Sequence, residues 1–359
     1  MRVLEVYKDV YPFVQGGIER YMHDLSGYLA DQGHDVSVLV ASDRCSSKGI
    51  SGFGIERYRC LGRLLSNPVS IGLAGMLRKY RGDLVHFHVP LPSAVLAWLR
   101  SGRRIGYMVT YHSDIVRQKM FMPFYGPFLR RFLKGAELVL ATSPVYAETS
   151  RYLSDLDNVD VVPIGTDLRF FTPSSENSHR AYVLFVGRFR SYKGIEVLME
   201  TWRQFPRKKL IMVGGGPMEV YVREHTHRYG LDIEILNDPE DEELRELYRN
   251  AQCLVLPSTM RSEAFGMVQV EAMACGLPVV STNLPTGVPW VNRNGVTGLV
   301  VPPEDPEALA DAIRKMEDEG LRNRLSRSAL SRARSEFDAR ELFRRTEELM
   351  LKAVRGGKE

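Results

Sequence analysis

The sequence predicts an α/β protein built as two doubly wound domains, each a parallel sheet with helices on its faces. Short β-rich runs alternate with helical patterns from end to end. The alternation stops at a polar, turn-prone seam near residues 167–180 and then restarts. A length of 359 residues also exceeds one ordinary core of roughly 100–200 residues.

The expected strands of the first half are Val3–Tyr7, Val36–Val40, Leu84–His88, Ile105–Thr110, Leu138–Thr142 and Val159–Pro163. Between the first two, Ile18–Gln32 carries Tyr21, Met22, Leu25, Tyr28 and Leu29 at helical spacing, with Gly33 as a stop. The second half offers Tyr182–Gly187, Lys209–Val213, Ile233–Leu236, Cys253–Pro257, Pro278–Ser281 and Leu299–Pro302 as strands. Helical periodicity fills Glu196–Gln204, Met218–His227, Glu240–Asn250 and Met267–Cys275. The expected boundaries are a first domain over 1–167, a linker over 168–180 and a second domain over 181–340. A charged terminal helix over 341–359 is expected to pack back toward the first domain.

Composition removes several classes. With 44% hydrophobic and 26% charged residues, the chain is neither collagen-like nor wholly disordered. Forty-eight Lys and Arg against 44 Asp and Glu give +4, too small an excess to indicate a nucleic-acid partner unless concentrated. Cys45, Cys60, Cys253 and Cys275 form no CxxC and no Cys/His ligand spacing, which fits a reducing, cytoplasmic compartment. Lys8 and Asp9 interrupt the first apolar run, so it reads as a strand and not a signal peptide. No run approaches 18 uninterrupted apolar residues, so no spanning helix is expected.

The sharpest motif follows the strand CLVLPS, where Glu263 and Glu271 stand eight positions apart around a helix start at Gly266. The backbone N–H groups of such an N-terminus favour an anion, and a carboxylate further in can accept hydrogen bonds from a sugar diol. Two solvated helix carboxylates are the plainer alternative. Arg188 and Lys193 lie just beyond the first strand of the second half, where open α/β sheets bind ligands. Two cations there suit a diphosphate, although exposed surface cations would look the same. Gly16 and Gly17 follow the first strand and would let a backbone approach a phosphate or sugar closely. The sequence has no GxGxxG with its acidic partner and no Walker A motif, so a nicotinamide dinucleotide fingerprint is absent. His112 sits just off a strand end. His86 and His88 share one strand face, but no third ligand lies near them in sequence, and no metal site is expected. Asp155 and Asp157 read as a turn.

Taken together and in order, GGIER, TYHSD, VPIGTD, VGRFRSYKG and the two spaced glutamates resemble the retaining glycosyltransferases of family 4. The resemblance covers essentially the whole chain. It implies the GT-B fold, two Rossmann-like domains facing a central cleft. The stretch SEAFGMVQVEAMACGLPVVSTNLPTGVPWVN is most similar to mannosyl- and rhamnosyltransferases of surface polysaccharide assembly. By that resemblance Gly16, Gly17, Arg188 and Lys193 hold the donor diphosphate. Glu271 binds the nucleoside ribose, while Phe265, Gly266, Met267 and Val268 line the loop at sugar and phosphate. His112 and Glu263 act on the transferred sugar as the catalytic pair. The donor is then a nucleotide-diphosphate sugar, GDP-mannose or a related GDP-6-deoxyhexose, consumed as a substrate. No cofactor or metal is implied. Ile164 departs from the Asn that many relatives carry in VPNG(V/I)D. A sugar-nucleotide 2-epimerase and a non-catalytic nucleotide-sugar-binding subunit are the rival readings.

Residues 1–165 hold 20 Lys and Arg against 15 Asp and Glu, so the first half carries the whole positive excess. Between Asp114 and Glu137 there is no acid, yet Arg117, Lys119, Arg130, Arg131 and Lys134 alternate with aromatic and aliphatic residues. Such a segment reads as a surface for anionic lipid headgroups, suited to a lipid-linked or saccharide acceptor at the cytoplasmic membrane face. A domain-interior helix with a solvated basic edge is the alternative. Pro123 and Pro127 predict two short helical pieces there.

Overall fold

In the computed structural model, which describes residues 1–41, 52–64, 67–102, 105–115, 119–174 and 182–356, the apolar runs form two separate parallel sheets. Cys45, Arg117 and linker residues 175–180 lie outside the described residues. The chain divides into one unit of Met1–Pro163 with Arg340–Glu359 and a second of Ile164–Ala339.

The strands of the first unit are β1 (Arg2–Val6), β2 (Asp35–Ala41), β3 (Gly54–Tyr58), β4 (Gly62–Leu64), β5 (Asn67–Val69), β6 (Leu84–Val89), β7 (Tyr107–Tyr111), β8 (Leu138–Ala141) and β9 (Val159–Val161). Its helices are α1 (Gly17–Asp31), α2 (Leu73–Lys79), α3 (Pro92–Ser101), α4 (Met122–Lys134) and α5 (Pro144–Thr149). Seven strands make one parallel sheet in the order β3-β2-β1-β6-β7-β8-β9, and β4 and β5 form a separate antiparallel pair. Strands β6 and β7 are buried along their whole length, as expected for a sheet covered on both faces.

The second unit holds β10 (Tyr182–Val186), β11 (Leu210–Val213), β12 (Ile233–Leu236), β13 (Ala251–Leu256), β14 (Val279–Thr282) and β15 (Gly298–Val301). Its helices run α6 (Ile195–Trp202), α7 (Glu219–Tyr229), α8 (Asp241–Asn250), α9 (Met267–Ala274), α10 (Val288–Val291), α11 (Pro306–Lys315) and α12 (Glu319–Glu336). The strand order β12-β11-β10-β13-β14-β15 is the doubly wound order, reversing direction between β10 and β13. Its core gathers Phe185, Phe189, Trp202, Met212, Val255 and Ile313 between the sheet and its helices. The tail that reads as one charged stretch is broken by side-chain caps. Asp305 accepts from the Ala308 amide and Asp318 from the Leu321 amide, starting α11 and α12. The last helix, α13 (Ala339–Gly356), belongs to the first unit from Arg340 onward.

Two local expectations are corrected. Strand β3, GIERY, escapes the pattern because only Ile55 and Tyr58 of it are buried at the sheet edge. The segment with Pro123 and Pro127 gives one helix, α4, after a short turn at Lys119–Phe121. Pro123 falls in the first turn, where its missing N–H costs nothing. Pro127 lies inside the helix on its exposed side, so the carbonyl it leaves unbonded can face water. The opposite side, with Leu129, Phe132 and Leu133 fully buried, holds the helix in place.

Candidate functional site

The sequence places Lys193 and Glu263 seventy positions apart, and the fold brings them together. Lys193 closes the turn after β10, and Glu263 lies in the loop after β13, the strand beside β10. Both positions stand at carboxyl ends of neighbouring strands where the strand order reverses. The Lys193 Nζ is 2.5 Å from Glu263 Oε2, which also accepts from the Ser258 hydroxyl at 2.9 Å. Lys193 and Glu263 are only 9% and 7% exposed. Burial alone would lower the Lys193 pKa, but the Glu263 carboxylate outweighs it and holds the ammonium above its ordinary value.

Two glycines set this geometry. Gly194 is left-handed at φ 72°, and a Cβ on it would fall 1.9 Å from the Pro257 carbonyl oxygen. The strand ends can approach this closely only without a side chain. Gly266 caps α9 at φ 75°, with Leu256 Cδ2 2.7 Å from where a Cβ would lie. Met267 and Val268 stand half-buried at the start of α9, while the Phe265 ring is buried against Trp290 and Phe337. The Phe265 ring is thus part of the packing, and its backbone is what remains for the loop. Glu271, one turn into α9, is half-buried, and its Oε2 accepts from the Tyr248 hydroxyl at 2.7 Å. Arg188 is exposed beyond β10.

In the first unit Gly16 is the N-cap of α1, with Gly17 as its first residue. A Cβ on Gly16 would fall 2.2 Å from the Glu19 carboxylate, which lies 3.7 Å from Lys8. An acid of the chain itself therefore stands at the start of α1. The VPIGTD stretch is held by backbone bonds, Thr166 N–H to the Phe337 carbonyl and Ala339 N–H to the Thr166 carbonyl. Ile164, which replaces the Asn of many relatives, is buried.

His112 lies off the end of β7, 4% exposed, with its backbone N–H bonded to the Val89 carbonyl. Its ring meets that of His88 edge to edge and nearly coplanar, with centroids 5.3 Å apart and planes 20° apart, and Tyr21 of α1 packs edge-on against both rings. His86 and His88, which have no third partner nearby in sequence, meet one from another strand. In register with His86, Glu5 on β1 receives His86 Nδ1 and His88 Nε2 on its Oε2, each at 2.8 Å. Among the described residues this trio alone is compact enough to hold a metal ion. All three are fully buried, and each imidazole already donates to Glu5 Oε2, which accounts for the cluster without an ion. Glu5 is the residue that sequence reading missed. Its signal is a carboxylate inside VLEVY, where a buried parallel strand should be apolar.

On the outward side of α4, Phe124 and Phe128 are 78% and 50% exposed, and Met120 and Phe121 of the turn before it are exposed too. Arg130, Arg131 and Lys134 are exposed as well, and Arg130 is paired with Asp155. Of Lys119 only the backbone, at the start of the turn, is described.

This arrangement, two doubly wound units with charged side chains at the strand switch points, is the GT-B architecture of sugar-transferring enzymes. Solved structures carry the same fold. Sucrose-phosphate synthase from Thermosynechococcus elongatus aligns with TM-score 0.84 and 23% identity over 99% of both chains. HepE from Anabaena, solved with UDP and glucose, aligns at 0.78 and 20% over 98% of this chain and 100% of its own. The family described as "Glycosyltransferase Family 4" matches residues 15–170, and "Glycosyl transferases group 1" matches 168–332. The O-antigen chain mannosyltransferase C of Escherichia coli is 32% identical over 94% of this chain and 95% of its own. The D-rhamnosyltransferase WbpZ of Pseudomonas aeruginosa is 31% identical over 94% and 93%. The chain belongs to the family 4 glycosyltransferases with group 1 and family 4 domains, and is an enzyme of that class.

Proposed function

We propose that this enzyme transfers mannose or a 6-deoxyhexose, with retention and without a metal ion, from a nucleotide-diphosphate donor, GDP-mannose foremost, to a lipid-linked or saccharide acceptor. The buried Lys193–Glu263 pair beside the start of α9 carries the reading. Breaking a glycosyl–phosphate bond leaves charge on the diphosphate, and fixed cations with a helix N-terminus stabilise it without reorganising. Lys193 and Arg188 fill that role, Glu263 takes sugar hydroxyls, and Glu271 takes the ribose. Full activity in excess chelator is the corollary. Support for mannose or rhamnose comes from the names of the two relatives above.

The acceptor side is the α4 surface. No helix among the described residues is long and apolar enough to cross a membrane. The exposed aromatics of α4 with Arg130, Arg131 and Lys134 support a reading in which the enzyme docks on an anionic leaflet and works at the cytoplasmic face in surface glycan assembly. The deciding assay is nucleoside-diphosphate release across a panel of sugar nucleotides, with and without a polyprenyl-linked saccharide, in chelator. Release dependent on acceptor and strongest with GDP-mannose is expected. Donor turnover that ignores acceptor would point to an epimerase or hydrolase instead. Flotation with anionic vesicles should be lost when Arg130, Arg131 and Lys134 are changed to Ser together, and unchanged flotation would end the docking reading.

A further inference from the structure

The first unit holds a chain of hydrogen bonds that runs from a buried carboxylate to the candidate catalytic histidine. Glu5 Oε2 is 2.8 Å from His88 Nε2, and His88 Nδ1 is 3.0 Å from His112 Nε2. His112 Nδ1 is buried and has no hydrogen-bond partner. The three residues come from three neighbouring parallel strands or their ends, β1, β6 and the residue after β7. None of them has more than 4% exposure.

We propose that Glu5, acting through His88, fixes His112 in the tautomer whose Nδ1 carries a lone pair, so that His112 accepts a hydrogen bond from a sugar hydroxyl. The logic is one of donors and acceptors. A carboxylate only accepts, so His88 must carry its proton on Nε2. A neutral His88 then has a lone pair on Nδ1 and must accept from His112 Nε2–H. His112, with its proton committed to Nε2, is left with an acceptor at Nδ1. The same principle lets a buried carboxylate hold a neighbouring imidazole in one tautomer in other catalytic chains.

The protonation states agree with this chain. Burial opposes a charge on Glu5, but His86 and His88 outweigh it and hold the pKa at about 2, so the group is a carboxylate. Burial pushes His88 down to about 4 and His112 well below its ordinary value, so both rings are neutral near pH 7. His86 donates Nδ1–H to the same Glu5 oxygen, and its Nε2 is bonded to the Thr110 hydroxyl. That second imidazole braces the carboxylate without touching the Nε2 of His112. Glu5 and His88 are therefore positioning residues, and His112 is the group that meets the ligand. This assignment rests on the glycosyl-transfer reading above only for the identity of the hydroxyl.

The test is the imidazole nitrogen spectrum of the full chain labelled with 15N-histidine, assigned with His112→Gln. His112 should show the Nε2–H pattern in the unsubstituted protein. A His112 protonated on Nδ1 would overturn the proposal. In His88→Phe, which keeps an aromatic ring but cannot accept from His112, the tautomer should become mixed. Turnover should also fall about tenfold, the worth of one hydrogen bond, with little change in donor KM. His86→Phe removes the other donor to Glu5 and should leave the His112 pattern intact. An unchanged His112 pattern in folded His88→Phe would also overturn it. If the spectra come out as expected while no sugar nucleotide is turned over, the tautomer chain stands and the donor reading is what fails.

Discussion

Removing one member of the Lys193–Glu263 pair should cost much more than a surface ion pair is worth. The two groups are 2.5 Å apart and nearly buried, so neither can recover water when its partner is lost. In Glu263→Ala the ammonium is left without its carboxylate, a change worth about 3–5 kcal/mol in buried pairs. In Lys193→Met the carboxylate keeps the Ser258 hydroxyl, so the loss should be smaller, about 1–3 kcal/mol. The double variant should then be less destabilised than the sum of the two, with a coupling on the order of 2 kcal/mol. Urea unfolding followed by tryptophan fluorescence reads this, because two of the three tryptophans, Trp202 and Trp290, lie in the second unit. Nucleoside-diphosphate titration of the same proteins separates the roles, since Lys193→Met should weaken binding as well as folding. Additive effects within about 0.5 kcal/mol, with each single change below about 1 kcal/mol, would refute the argument.

Gly194→Ala should destabilise the second unit by more than the roughly 1–2 kcal/mol of left-handed backbone strain, since its Cβ would strike the Pro257 carbonyl; a melting temperature within a degree of the parent would contradict this. Tyr248→Phe removes the hydroxyl that donates to Glu271 and should weaken nucleoside-diphosphate binding a few-fold, as calorimetric titration would show. Acid should unfold the first unit early. His88 binds its proton at about 4 when folded and near 6.5 when unfolded, so its share of stability is complete above pH 6.5 and falls away toward pH 4, by on the order of 3 kcal/mol. Glu5, lowered from 4.5 to about 2, adds a loss of the same sign as pH falls from 4.5 toward 2. A flat stability curve between pH 7 and 4, measured by urea midpoints, would be the contrary result.

The alternation of strand and helix, and with it two doubly wound units, is written in local pattern, because buried parallel strands and amphipathic helices each leave a short-range signature. The turn glycines at 194 and 266 and the charges around them are also legible, since each is a local requirement of a strand end or helix start. The edge strand β3 and the unbroken α4 are not. Their residues follow weak local preferences that packing overrides, as Leu129, Phe132 and Leu133 do for a helix containing Pro127. What only the tertiary structure decided is who meets whom. Strand adjacency is long-range, so no spacing in the sequence says that β10 lies beside β13 and β1 beside β6. Those two adjacencies put Lys193 on Glu263 and turn the lone carboxylate of Glu5 into the anchor of His86, His88 and His112. A buried charge must find its partner somewhere in the fold, and the chain's own order does not say where.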